Sequence, residues 1–434
     1  MLAAALRTLQ VLAATLVAAG EYGIGWVRTL PGRGRSARRA RVEQLRGAVL
    51  RRAFTRLGPT FIKLGQVMST RPDLFGPALI QELTSLQDRI PPVPGHVARR
   101  QLEEALGVPA ERRFREVEDE PLAAASVAQV HRGVLPSGDR VAIKILKPGV
   151  RRVIDNDARL ILLAGRLVQA LSPRARHADL VGHLEHFLRG VREQTDLRRE
   201  IANYRTFRRN FADVDGVVFP EVHEDLSSDR VMTMALIEGV KIDALPPGAH
   251  PDVARILREA FLKMLFEDGF LHADLHPGNL LVTPDGRIAI FDVGMVKNLP
   301  DALLEQYIDF NKCLVMGTTA DFVSHLRRYH TYAEGSVDWS RLEEDVEAFT
   351  AEFRGKPAHE IEFRKLIDHV FDVARRHGIR PVPDMTLMMV GLVTAEGIGK
   401  QLDPQSDSFG HVAQYLLPIL ARRNLLPAEA PAFA

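Results

Sequence analysis

The sequence of 434 residues contains a single cysteine, Cys313, and only two tryptophans. One thiol excludes an intrachain disulfide framework and a cysteine-rich zinc site, and it favours a reducing compartment. No clean apolar run reaches the roughly 18 to 20 residues that cross a bilayer, because charged residues bracket the apolar stretch at residues 9–20. The whole sequence is 46% hydrophobic and 26% charged, which is typical of a folded protein. Its length of 434 residues predicts two or three units.

The net charge of +2 conceals an excess of arginine at the N-terminus. Residues 1–60 contain eleven arginines and two glutamates, a balance of +9, so the remainder carries −7. An apolar stretch followed by basic residues suits an anionic cytoplasmic leaflet, at about 1 kcal/mol per basic residue. The alternative is a mobile or self-packed N-terminus, and a bilayer span is a lesser one. We expect a cytoplasmic protein that associates peripherally with a membrane, without a signal peptide.

Nucleic acid is not expected as a partner. The basic tract contains no interleaved aromatic residues of the kind that stack on bases. We therefore keep the membrane surface as the expected partner of the arginine cluster.

Hydrophobic periodicity predicts an α+β protein. A strand–turn–strand pattern is predicted over 120–146, and a hairpin over 280–292 has the turn residues Pro284-Asp285-Gly286. Most of the chain beyond residue 251 is predicted to be helical. The predicted parts are a basic, membrane-apposed N-terminus (1–41), a helical extension (42–115), a smaller α+β lobe (116–238), a helical lobe (239–425) and a disordered tail (426–434).

The segment HADLHPGN, residues 272–279, places polar residues in a loop that Pro277 and Gly278 keep from becoming helical. Asn279 follows Asp274 by five residues, and Asp292 comes thirteen residues later, across the predicted hairpin. Hard oxygen donors on converging loops suit Mg²⁺. An aspartate that does not bind the metal can hold an attacking hydroxyl or water, as in kinases.

A lysine on an early strand is the second requirement for phosphoryl transfer. Lys144, in VAIK, corresponds to the kinase lysine that contacts nucleotide phosphates. Where a kinase has a glycine-rich loop this chain has AAASVAQVH at 123–131, and alanine does not take the positive φ angles open to glycine. His272 and His276 are interpreted as residues that position the HADLHPGN loop through hydrogen bonds.

Taken together, these motifs resemble the UbiB/AarF atypical kinases, a family that supports isoprenoid quinone metabolism. The resemblance covers roughly residues 45–410. The matching motifs, in chain order, are KLGQ (63–66), QDRIPP (87–92), AAAS (123–126), VAIK, DLRREIAN (196–203), HADLHPGN and DVG. It implies a protein-kinase-like bilobal fold with an N-terminal helical extension whose KLGQ segment lies over the active site.

The resemblance also implies roles for individual residues, with ATP or ADP and Mg²⁺ as cofactors. Asp274 would be the catalytic aspartate, Lys144 would contact phosphate, and Asn279 with Asp292 would bind Mg²⁺. Lys63 and Gln66 would reach into the nucleotide site. The nucleotide-binding segments would be the turn Ala123, Ala124, Ala125 and Ser126 and the hinge Thr233, Met234, Ala235 and Leu236.

One departure from the family affects the charge near the nucleotide. Gln194 stands where a carboxylate is expected to pair with Lys63. Asp196 and Glu200, four residues apart on a predicted helix face, are the candidates to supply that charge.

The partner of Lys144 is left open among three carboxylates. The candidates are Glu185, Glu193 and Glu200, and the sequence does not choose between them. The hinge also has Ala235 where an acidic residue is frequent.

The leading functional hypothesis is therefore an atypical kinase or ATPase that binds Mg-nucleotide and acts in isoprenoid quinone metabolism at the membrane. Two alternatives remain: a small-molecule phosphotransferase of the aminoglycoside or choline kinase type, and a nucleotide-gated membrane scaffold without turnover. The KLGQ and AAAS motifs disfavour the phosphotransferase. The scaffold is disfavoured because the chain has all four polar site residues, Lys144, Asp274, Asn279 and Asp292.

Overall fold

The structure is a computed structural model that describes residues 2–28, 35–69, 76–87, 92–172, 176, 180–351, 363–380 and 382–423. The predicted tail at 426–434 and residues 88–91 of the QDRIPP motif lie outside the described residues. Two compact units make up the chain: the first is Met1–Arg205 with Pro220–Leu236, and the second is Thr206–Phe219 with Ile237–Ala434.

The first unit combines an antiparallel sheet with helices before and after it. Its strands are β1 (Glu116–Ala124), β2 (Ala128–Val134), β3 (Arg140–Leu146), β5 (Val222–His223) and β6 (Val231–Ala235). Its helices are α1 (Leu2–Arg28), α2 (Arg35–Leu57), α3 (Pro59–Ser69), α4 (Pro77–Thr84), α5 (Gly95–Leu106), α6 (Val150–Leu171), α7 (Leu180–Glu193) and α8 (Leu197–Asn210), the last of which ends in the second unit.

The sheet of the first unit has the order β1-β2-β3-β6-β5. The central strand β3 is mostly apolar and buried, whereas the edge strand β1 has register irregularities at Pro121, which cannot donate a ladder hydrogen bond. Helix α5 covers one face of the sheet, where Leu102, Ile143 and Val231 are fully buried. The predicted strand–turn–strand at 120–146 is confirmed, with β2 and β3 on either side of the turn.

The N-terminal helix α1 is held within the first unit by a buried ion pair. Arg7 donates from Nε and Nη2 to the two carboxylate oxygens of Asp157 in α6, at 2.7 and 3.0 Å. Asp157 is fully buried and also accepts from Thr60 Oγ1 at 2.6 Å. Among the described helices, none has the combination of length and hydropathy that a bilayer crossing requires.

The second unit is mostly helical. Its strands are β4 (Val217–Val218), β7 (Val240–Lys241), β8 (Phe270–His272), β9 (Leu280–Val282), β10 (Ile288–Ile290) and β11 (Val296–Asn298). Its further helices are α9 (Pro251–Phe266), α10 (Asp301–Met316), α11 (Thr319–Tyr329), α12 (Trp339–Ala351), α13 (Phe363–Arg376), α14 (Pro383–Leu402) and α15 (Ser408–Arg422).

Two small sheets in the second unit position the polar loops. One has the order β4-β10-β9-β7, and the other pairs β8 with β11. The predicted hairpin is confirmed as β9–β10, and Gly286 in its turn takes φ 83°, a conformation natural to glycine. The pair β8–β11 was not predicted, since each strand has only three residues.

Candidate active site

His272 lies at the end of β8 and links the two polar loops of the second unit. Its Nδ1 accepts a hydrogen bond from the amide of Asp274 at 3.2 Å, and its Nε2 lies 3.1 Å from the carbonyl oxygen of Phe291. An acceptor at Nδ1 and a donor at Nε2 define the neutral tautomer. Burial lowers the pKa of His272, which favours the same neutral form. The buried imidazole of His272 therefore links the backbone of Asp274 to that of Phe291, the residue before Asp292.

Asn279 ends the short turn that follows the aspartate. Its Nδ2 donates to the carbonyl oxygen of Asp274 at 3.0 Å, and the residue is 7% exposed. His276 begins this turn, and its Nδ1 accepts from the amide of Gly278 at 3.1 Å. Because Nδ2 is used in holding the loop, Oδ1 is the side-chain atom that is left to bind a cation.

The loop with Asp292 is bonded directly to the loop with Asn279. The amide of Phe291 donates to the carbonyl of Asn279 at 2.9 Å, and the amide of Ala273 donates to the carbonyl of Met295, also at 2.9 Å. The structure therefore brings Asp274, Asn279 and Asp292 together on one hydrogen-bonded pair of loops.

Asp292 has an unusual backbone conformation. With φ 52° it is the one non-glycine residue in the left-handed region among those the structure describes. Such conformations cost about 1–3 kcal/mol and cluster at functional sites, where the surrounding structure imposes them. Here the fixed carbonyl and amide of Phe291 immediately precede it.

These donors fit a magnesium ion. Asn279 offers an amide oxygen and Asp292 a carboxylate, which are hard oxygen ligands of the kind that Mg²⁺ prefers, with water and phosphate at its other positions. Asp274 is half-buried in the same loop pair. The arrangement can hold a cation beside a carboxylate that is not needed to bind it.

In the first unit, Lys144 on β3 forms an ion pair with Glu200 on α8. Its Nζ lies 2.7 and 2.8 Å from the two carboxylate oxygens, and the side chains are 12% and 5% exposed. The other two candidates have different partners: Glu185 lies 3.8 Å from Arg166, and Glu193 lies 2.9 Å from Arg199. Of the three carboxylates that the sequence left open, Glu200 is the partner.

Asp196 immediately precedes α8, the helix that carries Glu200. Its carboxylate accepts from the backbone amide and the side chain of Arg198, at 3.2 and 3.0 Å. The helix therefore begins one residue later than expected. Asp196 is paired with the mostly exposed Arg198, and Glu200 with Lys144.

The alanine-rich turn connects β1 to β2. Ala123 and Ala124 end β1, and the amide of Ala125 donates to the carbonyl of Ala128 at 2.8 Å. Ser126 is 9% exposed. The turn closes without any residue at positive φ, so its amides are arranged differently from those of a glycine-rich loop.

The predicted hinge is the end of β6. Met234 is buried, and Thr233 donates from Oγ1 to the carbonyl of Leu226 at 2.8 Å. The amides of Thr233, Ala235 and Leu236 donate to Ser227 Oγ, the Glu221 carbonyl and the Arg140 carbonyl, at 3.0, 2.8 and 3.0 Å. These three amides are therefore all used within the protein.

Lys63 and Gln66 lie half-buried on α3. Gln66 Nε2 is 3.5 Å from the carbonyl oxygen of Leu86, at the limit for a hydrogen bond. Between them, Gly65 packs directly against the side chains of Leu86 and Phe54. The KLGQ segment is thus about one turn of α3, with a glycine at its closest contact.

Sequence reasoning missed two features of this site. The β8–β11 pair carries the Ala273–Met295 hydrogen bond, and strands of three residues give no periodic signal. The contact of His272 with the Phe291 carbonyl joins residues nineteen positions apart, which no local pattern reports.

Comparison with known proteins identifies the family. A family model of the ABC1 atypical kinase-like domain matches residues 85–325, more than half of the chain, and one of the UbiB helical domain matches residues 346–407. The probable protein kinase UbiB of Aeromonas salmonicida is 35% identical over 391 residues, covering 86% of this chain and 70% of its own. That of Tolumonas auensis is 36% identical over 408 residues, covering 89% and 73%.

A solved structure has the same kind of fold. The complex of Rv3197 with erythromycin from Mycobacterium tuberculosis aligns with a TM-score of 0.56 at 25% identity, over 80% of this chain and 90% of that chain. The resemblance that the motifs predicted is thereby confirmed, as is the α+β, protein-kinase-like fold class. The chain belongs to the UbiB family of atypical kinase-like proteins.

Proposed function

We propose that the protein is an atypical kinase or ATPase that uses Mg-nucleotide and supports isoprenoid quinone metabolism at a membrane. The observation that carries the proposal is the hydrogen-bonded loop pair with Asp274, Asn279 and Asp292. Membership of the UbiB family supports the kinase-like chemistry and the quinone role.

In the second unit, Asp274 is proposed to hold the attacking hydroxyl or water and to accept its proton. The bonds from its amide to His272 and from Asn279 to its carbonyl fix the backbone on both sides of the carboxylate. Bound by Asn279 and Asp292, Mg²⁺ would neutralise charge on the phosphate oxygens. Holding reacting groups in place can supply about 7–11 kcal/mol of the barrier reduction.

In the first unit, Lys144 is proposed to contact nucleotide phosphate, held by Glu200. The turn at 123–126 is proposed to cover the nucleotide with fewer amide contacts than a glycine-rich loop, and the hinge at 233–236 to meet adenine. Lys63 and Gln66 on α3 are proposed to reach the nucleotide. Asp196, like Glu200, is proposed to supply negative charge near the nucleotide.

The membrane part of the proposal rests on α1. Leu9, Leu12 and Leu16 are 62%, 55% and 74% exposed and share one side of the helix, since successive residues advance by 100°. Arg7 and Glu21, which bond to the rest of the unit, fall on the other side. An exposed apolar face of this kind is suited to lying on a membrane surface, and the arginine-rich sequence that follows α1 would favour an anionic one.

Nucleotide hydrolysis by the purified full chain tests the chemical proposal. Asp292→Asn should lower Mg²⁺-dependent kcat/KM for ATP at least a hundredfold, since the charge that binds the cation is lost. Asparagine tolerates the left-handed conformation, so the loop should keep its backbone. Asp301→Asn, at an exposed position that begins α10, is the matched control and should leave turnover unchanged.

Thermal shifts with ADP, ATP and GTP, with and without Mg²⁺, measure binding separately from turnover. Wild-type protein should be stabilised by nucleotide, and Asp292→Asn should lose the part that depends on Mg²⁺. Undiminished turnover in Asp292→Asn would refute the assigned site. Nucleotide binding that persists while Asp274→Asn leaves the protein's role in cells intact would favour a nucleotide-gated scaffold.

A further inference from the structure

The second half of helix α6, in the first unit, exposes a stripe of large apolar side chains. Leu163, Leu167 and Leu171 are 66%, 61% and 77% exposed, and Val168 beside them is 47% exposed. The three leucines are spaced four residues apart, so they lie one above the other along the helix. Scattered exposed leucines are ordinary, whereas a contiguous apolar patch is typical of an interaction site. We call these four side chains the α6 stripe.

The α6 stripe is separate from the side of α6 that packs within the unit. The buried residues of α6 are Val150, Ile154, Asp157, Ala158, Ile161 and Gly165. Successive residues advance by 100°, which places the three leucines on the side of the helix next to this buried set. Packing within the unit therefore uses only part of the apolar surface of α6.

A row of arginines borders the α6 stripe. Arg152, Arg159 and Arg166 are exposed and spaced seven residues apart, so they follow one edge of the helix. Leu163 comes four residues after Arg159 and three before Arg166, which makes it a neighbour of both. Arg166 is 65% exposed and lies 3.8 Å from Glu185 of α7, an exposed pair of the kind that contributes little. The helix thus presents leucines beside positive charge.

The two acidic residues of α6 are each paired with an arginine of another helix. Asp157 is buried and accepts from Arg7 of α1 at 2.7 Å. Asp155 lies 2.8 Å from Arg192 of α7. The arginine row therefore keeps its positive potential beside the leucines.

The α6 stripe begins close to the point where α1 crosses α6. The bond from Arg7 to Asp157 holds the start of α1 against α6, and Leu6, next to Arg7, is 60% exposed. Leu163 follows Asp157 by six residues, about 9 Å along the helix axis. The exposed apolar residues of two helices are thus brought to the same part of the first unit.

We propose that the α6 stripe is a second membrane-contact element, whose leucines enter the headgroup region of an anionic phospholipid bilayer. A helix with leucines on one side and arginines beside them is typical of helices that lie in the plane of a membrane surface. A stable protein partner would need a broader surface, since standard interfaces involve about 20–30 residues a side. The inference rests on the proposed membrane association and adds a second surface to it.

A fluorescent label at residue 167 of the full chain tests the proposal. Leu167→Cys is made in a Cys313→Ser background, which removes the native thiol, and carries an environment-sensitive dye. Its emission should shift to shorter wavelength with phosphatidylserine-containing vesicles, and lipids brominated on their acyl chains should quench it, since such helices lie about 5–10 Å into the bilayer. The same dye on Leu122→Cys, at an exposed leucine of strand β1, should show neither effect.

Unlabelled variants measure what each group contributes to binding. Leu167→Ser should weaken binding to phosphatidylserine-containing vesicles about tenfold or more. Arg159→Gln and Arg166→Gln should each weaken it roughly fivefold, and should match the wild type on neutral phosphatidylcholine. All three positions are exposed, so the variants should unfold at the same urea concentration as the wild type.

Other occupants of the α6 stripe give different results. A second copy of the chain would shift the dye as protein concentration rises without vesicles. A segment of the same chain would keep the emission at short wavelength in dilute, vesicle-free protein. Either result would overturn the proposal.

The labelled and wild-type proteins together separate this inference from the proposed membrane association. If wild-type protein sediments with vesicles while the dye at residue 167 stays in water, the α6 stripe is refuted and the membrane association stands. If wild-type protein does not sediment with vesicles, both are refuted.

Discussion

Lys144 and Glu200 form a nearly buried ion pair, and the effect of mutation on stability depends on whether one partner or both are removed. Deleting one partner leaves an uncompensated charge in a low-dielectric environment, at a cost of about 3–5 kcal/mol. Lys144→Met should therefore lower the free energy of unfolding by about that amount and abolish nucleotide turnover. Urea unfolding and ATP hydrolysis on the same preparation measure both effects.

The double variant Lys144→Met/Glu200→Leu separates stability from function. Replacing both charges by apolar groups should recover most of the lost stability and none of the turnover. Arg205→Met is the control, because the Arg205–Glu224 pair is mostly exposed and should contribute little. Turnover restored in the double variant would show that Lys144 acts through structure alone.

His272 predicts a pH dependence of stability. An unfolded histidine titrates near 6.5, and burial lowers the pKa of His272 in the folded protein. As the pH falls below about 6.5, the unfolded chain takes up a proton that folded His272 does not, so the free energy of unfolding decreases. Above that pH the contribution is fully present.

Urea unfolding at pH 7.5 and 5.5 measures this change, with His272→Gln as the comparison. Glutamine keeps a donor for the Phe291 carbonyl but does not titrate, so the variant should lose less stability on acidification than the wild type. Equal losses in both proteins would contradict a buried neutral histidine at this position.

At the residue scale, the sequence identified the polar residues but not all of their partners. The spacings of Asp274, Asn279 and Asp292 with the hairpin between them suffice to place these residues near each other. The choice of Glu200 over Glu185 and Glu193 depends on how α8 crosses β3, which is a tertiary contact over 56 residues. Local patterns carry no information on such a crossing.

Helix α3 shows how one glycine sets the spacing between elements. A Cβ at Gly65 would overlap the side chains of Leu86 and Phe54, which follow α4 and lie on α2. Gly65→Ala should therefore force these neighbours apart and lower the free energy of unfolding by about 1–3 kcal/mol, despite the higher helix propensity of alanine. Thermal and urea unfolding provide the measurement.

Gly190 on α7 is the matched control, because a Cβ there would meet no atom within 4 Å. Gly190→Ala should be neutral or stabilise the protein by roughly 0.5–1 kcal/mol. If both variants gained stability, the close packing of the KLGQ helix would be refuted.

Elements with strong local signals were predicted well. The β2–β3 and β9–β10 pairs have apolar strands around turns rich in proline, glycine and aspartate, and both are confirmed. The pair β8–β11 and the start of α8 after Asp196 were not, since they are fixed by hydrogen bonds to other segments. The elements that complete the candidate site are thus the ones with the weakest signal in the sequence.

At the scale of the molecule, the N-terminal helix is part of the first unit. The contact of Arg7 with Asp157 spans 150 residues, and Glu21 accepts from Arg52 at 2.8 Å. Sequence alone left a membrane-apposed and a self-packed N-terminus open. The packed face of α1 and its exposed leucines occupy opposite sides, so packing on the protein leaves the apolar face accessible.

This geometry predicts how the protein binds vesicles. Burying one leucine contributes about 1.5–3 kcal/mol, so Leu16→Ser should lower the partition coefficient on phosphatidylserine-containing vesicles about tenfold or more. Binding should also weaken at high salt and on neutral phosphatidylcholine, because arginines near the surface contribute through screened charge. Co-sedimentation with vesicles of both compositions measures these effects.

Leu122→Ser on the edge strand β1 is the control, since that leucine is also exposed, at 45%, but lies far from α1 in sequence. It should bind vesicles as the wild type does. Equal loss of binding in both leucine variants would indicate general surface adhesion. Vesicle binding that is insensitive to Leu16→Ser and to salt would refute α1 as the membrane contact. The proposed nucleotide site is tested independently, by Asp292→Asn.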